Sequence, residues 1–497
     1  MLGRAAAGGV MLVGVRLLTR FSDLITMLVL ARVLDPRSFG IVAIALSIVT
    51  IFETALELPL HNVLLRHSTL KPSFFDTAFT LSLARGAIIG SFLFAISVPF
   101  ANFYHNSRLA ALVCVLSLAP VFRGLISPKL AVYQRELSFW RDFIIEATGK
   151  AVASAAAISM ALLTHSYWAI AIGTIIYPIG MTITSYVLAP YRPRISLVRL
   201  KYFLDFLGWN SAAQIVSAIN WQCERLLLGR LQSPSQLGLF STGNDVASIP
   251  FMAVFGPILR PLYAAFARTH DDRRALRRTY ESASAALLTF GLPLLIGESC
   301  LAEPTVRLIL GPKWLAAAPL VRWLSLSFIP ALFAMSAAPL FMAVGDTKLL
   351  FRRNMVEFLV KLPLVTIGAI RLGFAGVIAA RIISEVVAAT FCLFTVHGLI
   401  GLAFRDQLLA GWRSIVSSLL MAAVILWGRS LIAHTAFFHS LFAELALLVP
   451  LGGLTYGGGL VLLWAISGRP SGVEAMMLAA LRRFASERSV ALRRTSA

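Results

Sequence analysis

Acid and cysteine are both scarce in this chain. Asp and Glu number 23 against 44 Lys and Arg, and all charged residues together make 13% of 497 residues, about half the share of an ordinary soluble domain. So little charge cannot clothe a water-exposed surface of this size. The four cysteines, Cys114, Cys223, Cys300 and Cys392, stand far apart inside apolar stretches, and no C-x-x-C occurs. That excludes a disulfide framework and a cysteine zinc site. The histidines have no ligand-like spacing, so no metal is expected. The one "GK", Gly149-Lys150, lacks the upstream glycine of a Walker A loop, and no nucleotide or other cofactor is expected. No connection between apolar runs exceeds about 15 residues, too short for a catalytic domain of even ~50 residues. No catalytic residue is expected, and the chain reads as a non-enzyme.

What is abundant is apolar sequence. Hydrophobic residues make 58% of the chain and the mean hydropathy is +0.81. Runs of about 20 apolar residues, each able to cross a bilayer, recur from end to end. The ten-residue alternation of a membrane β-barrel is absent. The fold class is therefore an all-α polytopic membrane protein of about 14 transmembrane helices. The first six spans fall near 8–34, 39–65, 77–103, 107–131, 141–164 and 167–190. Six more fall near 204–231, 238–264, 280–301, 316–344, 351–370 and 374–400, and two near 414–434 and 441–466. The N-terminus does not read as a cleavable signal, because Arg16, Arg20 and Asp23 interrupt it.

The net charge of +21 would suggest nucleic acid in a soluble protein. Here the basic residues sit in short loops, so no nucleic-acid partner is expected. Alternate loops and the two ends carry 26 Lys and Arg, among them Arg273, Arg274, Arg277 and Arg278; the opposite loops carry 7. By the positive-inside rule both termini are cytoplasmic.

A repeat is visible in the helix exits. In "ARVLDPRSFG" (31–40) and "GRLQSPSQLG" (229–238), Arg32, Pro36 and Gly40 match Arg230, Pro234 and Gly238 at an offset of 198 (230 − 32). Pro128, Arg141, Glu146 and Lys150 match Pro339, Arg352, Glu357 and Lys361 at an offset of 211 (339 − 128). Spans 1–6 thus resemble spans 7–12 in the same orientation, a parallel repeat that makes two bundles around a central cavity. The expected organisation is 1–200 as one six-helix bundle, 201–400 as a second, 401–466 as two added spans, and 467–497 as a basic cytoplasmic tail.

"ARVLDPRSFGIVAI", "GRLQSPSQLGLFSTGND" and "LILGPKWLAAAP" (308–319), in that order, resemble the polysaccharide transport family of the multidrug/oligosaccharidyl-lipid/polysaccharide flippase superfamily. The resemblance covers about residues 1–400. It implies a Wzx-type flippase in the bacterial inner membrane that moves undecaprenyl-diphosphate-linked oligosaccharide for exopolysaccharide, lipopolysaccharide or capsule assembly. Partners so implied are the polyprenyl-diphosphate-linked oligosaccharide, membrane lipids, and the polysaccharide polymerase and glycosyltransferases. A drug or metabolite antiporter of the same superfamily is the alternative, followed by a membrane-embedded glycosyltransferase or ligase.

Charges inside spans are costly unless they face a cavity or a partner. Arg16, Arg20 and Asp23 fall at i, i+4 and i+7, one face of span 1; they line the cavity or, in the other reading, snorkel and pair. Arg85, Arg123, Arg225, Arg260 and Arg322 have no facing acid on their own helices. With Arg16, Arg20 and Asp23 they are the substrate-binding candidates, since a guanidinium fork suits phosphate oxygens. Glu53 and Glu57 form an i, i+4 acid pair on span 2, so that one is protonated or both pair with the span 1 arginines. Together with Glu224 and Asp245 they are candidates for coupling or pairing. Glu146/Lys150, Glu357/Lys361 and Arg381/Glu385 have the spacing to neutralise each other on their own helices.

Overall fold

The computed structural model describes residues 19, 21–58, 60, 64, 71–136, 138–204, 209–433, 441–469 and 473–475. Arg16 and Arg20 lie outside them. The described residues are helical almost throughout, with no strand, and nine of the helices are long and apolar enough to cross a membrane.

In chain order the main helices are α1 (21–33), α2 (Pro36–Ala55), α3 (Pro72–Phe103), α4 (Arg108–Leu116), α5 (Leu118–Gly124), α6 (Trp140–Thr164) and α7 (Trp168–Leu188). They continue with α8 (Trp209–Leu231), α9 (Pro234–Thr269), α10 (Arg273–Cys300), α11 (Ala318–Ser327), α12 (Ile329–Ala334) and α13 (Ala337–Ala343). The last are α14 (Lys348–Ile400), α15 (Trp412–Ala433) and α16 (Leu441–Ile466). Pro36 and Pro234 open α2 and α9, where a fixed φ is already helical and the missing N–H costs nothing. Asp272 caps α10 by accepting from the amides of Arg274 and Ala275.

Two spans expected to be continuous are broken. Span 4 splits into α4 and α5 at Ser117, and span 10 splits into α11, α12 and α13, with its first break at Phe328. The two helix ends before these breaks, Leu116 and Ser327, are 211 residues apart (327 − 116). The expected gap between spans 11 and 12 appears as a kink within α14, where Gly373 takes φ 58°, a conformation open to glycine. Span 2 is shorter than expected and ends at Ala55.

Contacts group the chain into two compact units. The first comprises Met1–Thr242, Ile309–Ala317 and Leu350–Val377. In it α6 and α7 pack closely: a Cβ on Gly180 would meet the Gly149 Cα at 3.0 Å. The buried Trp314 donates to the Ala31 carbonyl at 2.8 Å and meets Phe39 edge-on. Helix α8 packs on α2 and bonds to the first part of α14 through Lys361 and Asn354, so it groups with both the N-terminal helices and that part of α14.

The same unit holds a reciprocal crossing of α2 and α9. A Cβ on Gly40 would lie 1.8 Å from the Pro234 oxygen, and one on Gly238 would lie 1.8 Å from the Pro36 oxygen. Only glycine lets the two backbones meet this closely. The matched exits are in contact with each other.

The second unit comprises Gly243–Leu308, Ala318–Leu349 and Ile378–Ala497. Here α15 and α16 pack on α10: Thr289 shares a hydrogen bond with Ser414 at 2.9 Å, and the Tyr456 hydroxyl donates to the Thr289 carbonyl at 2.6 Å. Arg429 on α15 bonds Glu303, Glu444 and the Cys300 carbonyl at 3.0–3.2 Å, fastening the last two spans to the end of α10. Many large apolar side chains face outward, such as Leu163, Ile183, Leu359 and Leu454. In water such a surface would aggregate; in lipid it is the stable arrangement.

Candidate functional site

The site is built at the end of α2, in the first unit. Glu53 lies in the last turn, and the chain leaves the helix at Leu56. The Glu57 amide turns to the Thr54 carbonyl at 3.2 Å, so the Glu53 carbonyl is left without an amide from four residues on. Arg85 of α3 fills it, donating from Nη2. A cation there also meets the negative end of the helix dipole. The Glu53 carboxylate accepts from Arg123 Nη1 of α5 at 2.5 Å.

Both arginines stand beside a tight helix crossing. A Cβ on Gly86 would lie 2.5 Å from the Pro120 oxygen, and one on Gly124 would lie 2.5 Å from the Ser82 oxygen. The glycines bring α3 against α5 and so set Arg85 next to Arg123. Between them is a cleft of about 30 Å³, room for one water or one ligand oxygen. At this place Glu53 Oε1 and Arg85 Nε are buried without a protein partner.

A second pair adjoins the first. Lys150 of α6 forms an ion pair with Asp23 of α1, and its ammonium lies 5.1 Å over the Tyr177 ring of α7. On α7, Thr182 donates to the Phe122 carbonyl beside Arg123 at 2.8 Å, so the two pairs lie on one set of packed helices and form a polar belt across α1, α2, α3, α5, α6 and α7. The belt is not sealed. The Arg123 side chain is 40% exposed and Asp23 46%, against 16% for Glu53. A guanidinium has five N–H donors, so Arg123 can hold Glu53 and still present donors to an anion.

Several expected pairings are corrected here. Glu57 does not share a helix with Glu53: α2 has ended, and Glu57 is exposed in the turn beyond. Arg123 and Arg85, expected to lack a facing acid on their own helices, meet one on another helix: Glu53. Lys150 is not neutralised on its own helix alone but reaches Asp23. Lys361 likewise reaches Glu224 of α8 at 2.8 Å, and Glu357 pairs with Arg353 at 2.9 Å. A lysine stem is long enough to cross to a neighbouring helix, so spacing along one helix does not by itself fix its partner.

The Glu224–Lys361 pair is nearly inaccessible, at 5% and 6% side-chain exposure. Lys361 also donates to the Asn220 carbonyl, and Asn220 and Asn354 bond across α8 and α14 at 2.8–2.9 Å. This is an interior network, and Glu224 is a packing residue in this structure. Arg225 beside it is half-buried. Lys150 and Lys361, 211 apart (361 − 150), thus each join a carboxylate on the first helix of their sequence half.

In the second unit the expected residues are dispersed over the helices. Asp245 is exposed on α9 and Arg322 on α11, while the Arg260 side chain lies outside the described ones. Arg381, expected from the sequence only as the same-helix partner of Glu385, also donates to Asn244 Oδ1 at 2.6 Å and covers the Phe328 ring at 4.5 Å. The polar stretch "STGNDVAS" carries the signal for it, in Asn244 rather than in the neighbouring Asp245. Lys150 was missed as a site residue because its partner is on another helix.

Comparison with known proteins follows this geometry. The family described as "Polysaccharide biosynthesis protein" matches residues 29–319, more than half of the chain. The lipopolysaccharide biosynthesis protein WzxC of Escherichia coli (strain K12) is 24% identical over 398 residues, covering 78% of this chain and 80% of its own. The succinoglycan biosynthesis transport protein ExoT of Rhizobium meliloti (strain 1021) is 24% identical over 414 residues, covering 82% and 83%. Among solved structures, the lipid II flippase MurJ in an inward closed conformation has a TM-score of 0.71 at 16% identity, covering 92% of this chain and 99% of that one. An inward-facing multidrug resistance transporter of the MATE family has a TM-score of 0.64 at 14% identity, covering 77% and 95%. These structural likenesses establish the fold.

Proposed function

This chain belongs to the polysaccharide biosynthesis protein family, and from that membership we propose that it is a flippase for polyprenyl-diphosphate-linked oligosaccharides. It would carry them from the cytoplasmic to the outer leaflet of the bacterial inner membrane, with both termini cytoplasmic, for polymerisation outside. The observation that carries the reading is the partly exposed Arg123, held by Glu53 beside Arg85 within spans of an all-helical fold. A carboxylate that orients an arginine and leaves donors over is suited to a diphosphate. The names of the relatives, in lipopolysaccharide and succinoglycan assembly, fit the same substrate class.

The mechanism proposed is alternating access, with the sequence halves 1–200 and 201–400 as the moving bundles and the last two spans carried on the second. The parallel repeat is supported by the reciprocal Gly40–Gly238 crossing, the two breaks 211 residues apart, and the paired Lys150 and Lys361. A diphosphate carries about −2, so export from a cytoplasm held negative is downhill by about 4.6 kcal/mol at 100 mV. Arg123 is to bind this charge where the cavity opens and to release it when the halves change.

The test is reconstitution with a fluorescent polyprenyl-diphosphate disaccharide on both leaflets of vesicles. Quenching from outside should rise from about half to nearly complete with the protein present, faster with a potential of the right sign. A protein that leaves the protected half unchanged while exchanging a cationic drug would be an antiporter instead.

A further inference from the structure

A second opening in the first unit lies away from the charged belt. It is a cleft of about 530 Å³ where the start of α3 meets the loop before the short helix Leu130–Arg135 and the segment that follows α7. That size matches ligand pockets. Its wall carries two cations, Lys129 and Arg192, and three aromatic rings, Phe75, Tyr186 and Tyr191.

The segment 189–198 has no helix and is strapped along α3. The Ser196 amide donates to Thr80 Oγ1 at 2.9 Å, the Arg199 amide to Thr77 Oγ1 at 3.3 Å, and the Tyr191 hydroxyl to Asp76 Oδ1 at 2.7 Å. Burial, then the bond to Asp76, pushes the Tyr191 phenol above its usual range. The bond holds the one acid of the cleft in place, and its single negative charge is outnumbered by Lys129 and Arg192. Lys129 Nζ reaches the Pro190 carbonyl at 3.2 Å and has N–H donors to spare. The outer side of the strap is apolar, with Ile195 82%, Leu197 53% and Val198 76% exposed, interleaved with Arg192, Arg194 and Arg199. Exposed aliphatic residues alternating with arginines suit the boundary between headgroups and acyl chains.

We propose that this cleft is a binding site for an anionic membrane phospholipid. Lys129 and Arg192 hold its phosphate, Phe75 and Tyr186 seat its glycerol, and its acyl chains leave along Ile195, Leu197 and Val198. The ligand is thus a resident lipid of the bilayer, distinct from the transported one, and the site stands whether or not the proposed substrate is correct.

The full-length protein in mild detergent is offered phosphatidylglycerol and phosphatidylcholine in equal amounts, and retained lipid is counted by native mass spectrometry. Phosphatidylglycerol should dominate. Lys129→Ala and Arg192→Ala should each lower its retention about fivefold, while Arg192→Lys keeps most of it. Phe75→Trp, which fills the cleft without changing charge, should lower retention too, and Arg108→Ala, in an opposite loop, should not. All variants are compared at equal melting behaviour, and Arg192 and Arg108, both exposed, are the safe pair. Retention unchanged by Arg192→Ala and Phe75→Trp, or lowered as much by Arg108→Ala, overturns the proposal. So does a cleft that retains undecaprenyl diphosphate but not phosphatidylglycerol, which would make it a substrate site.

Discussion

Arg123 combines a structural bond and spare donors in one planar group, and the two can be separated by substitution. Arg123→Ala removes both, and should abolish export while leaving Glu53 without its cation. The companion Arg123→Ala/Glu53→Gln removes the stranded charge, whose exposure loss costs about 1–3 kcal/mol. Its melting temperature should return towards the parent while export stays absent. Arg123→Lys keeps the charge without the fork and should export at an intermediate rate. Normal export by Arg123→Ala would remove this residue from the substrate path. Lys361 predicts the opposite pattern. Lys361→Met leaves Glu224 charged in the interior and should cost about 3–5 kcal/mol, most of it recovered in Lys361→Met/Glu224→Met, as read from melting in detergent. The difference between the two pairs was not legible in the sequence. Both lysines have a glutamate four residues before them, and helical periodicity reports neighbours on the same helix only. Whether the partner across the gap is exposed Asp23 or buried Glu224 is decided by packing. Arg85 and Arg123 stood out as cations in apolar spans, but that Glu53 joins them depended on where α2 ends, two residues past it.

At the scale of elements, apolar runs marked where the long helices run, but not where they break or end. Repeated Pro and Gly marked the two starts at Pro36 and Pro234. They could not say that the two starts touch, because nothing in one chain segment records its neighbour. The breaks at Ser117 and Phe328 were not legible either: their sequences, "VLSLAP" and "LSFIPAL", are apolar but for one serine each, and so read as parts of an unbroken span. Proline follows each break by two or three residues, a hint that does not separate a kinked helix from a broken one. The crossing of α2 and α9 gives the clearest test. At Gly40 an alanine methyl would meet a backbone oxygen at 1.8 Å, and no rotation of a side chain relieves that. Gly40→Ala should therefore cost about 1–3 kcal/mol and part the two helices. A cysteine at Ser38 should react faster with a water-soluble maleimide in the Gly40→Ala background. The pair Gly40→Ala/Gly238→Ala should lose less than the sum of the singles, since once parted the helices accommodate both methyls. Additive losses and unchanged labelling would mean that the crossing bears no strain.

For the whole molecule, the contact of the two exits bears on how a cycle could run. Under the proposed topology Pro36 and Pro234 lie on the side opposite the basic loops, which is the outer side. Labelling should agree: cysteines at Ser235 and at Ser467 should react from opposite faces, and reaction from one face would reject the span count. On that topology, the crossing built of two glycines with carbonyls against them would close the outer end. Alternating access requires this end to part once per cycle. Ser38 and Gln236 lie two residues from Gly40 and Gly238 respectively, so cysteines there are near the crossing without filling it. A short bifunctional reagent should join them in the resting protein and stop export, and cleavage of the linker should restore it. A reagent several times longer should join the same pair and leave export largely intact, because it spans the opened end. That length dependence separates gating from damage, since a modification that merely harms the protein would act at either length. Export that continues with the short tether in place would show that the two exits need not part. The oligosaccharide would then have to travel along a fixed lateral groove, and the repeat would serve packing alone.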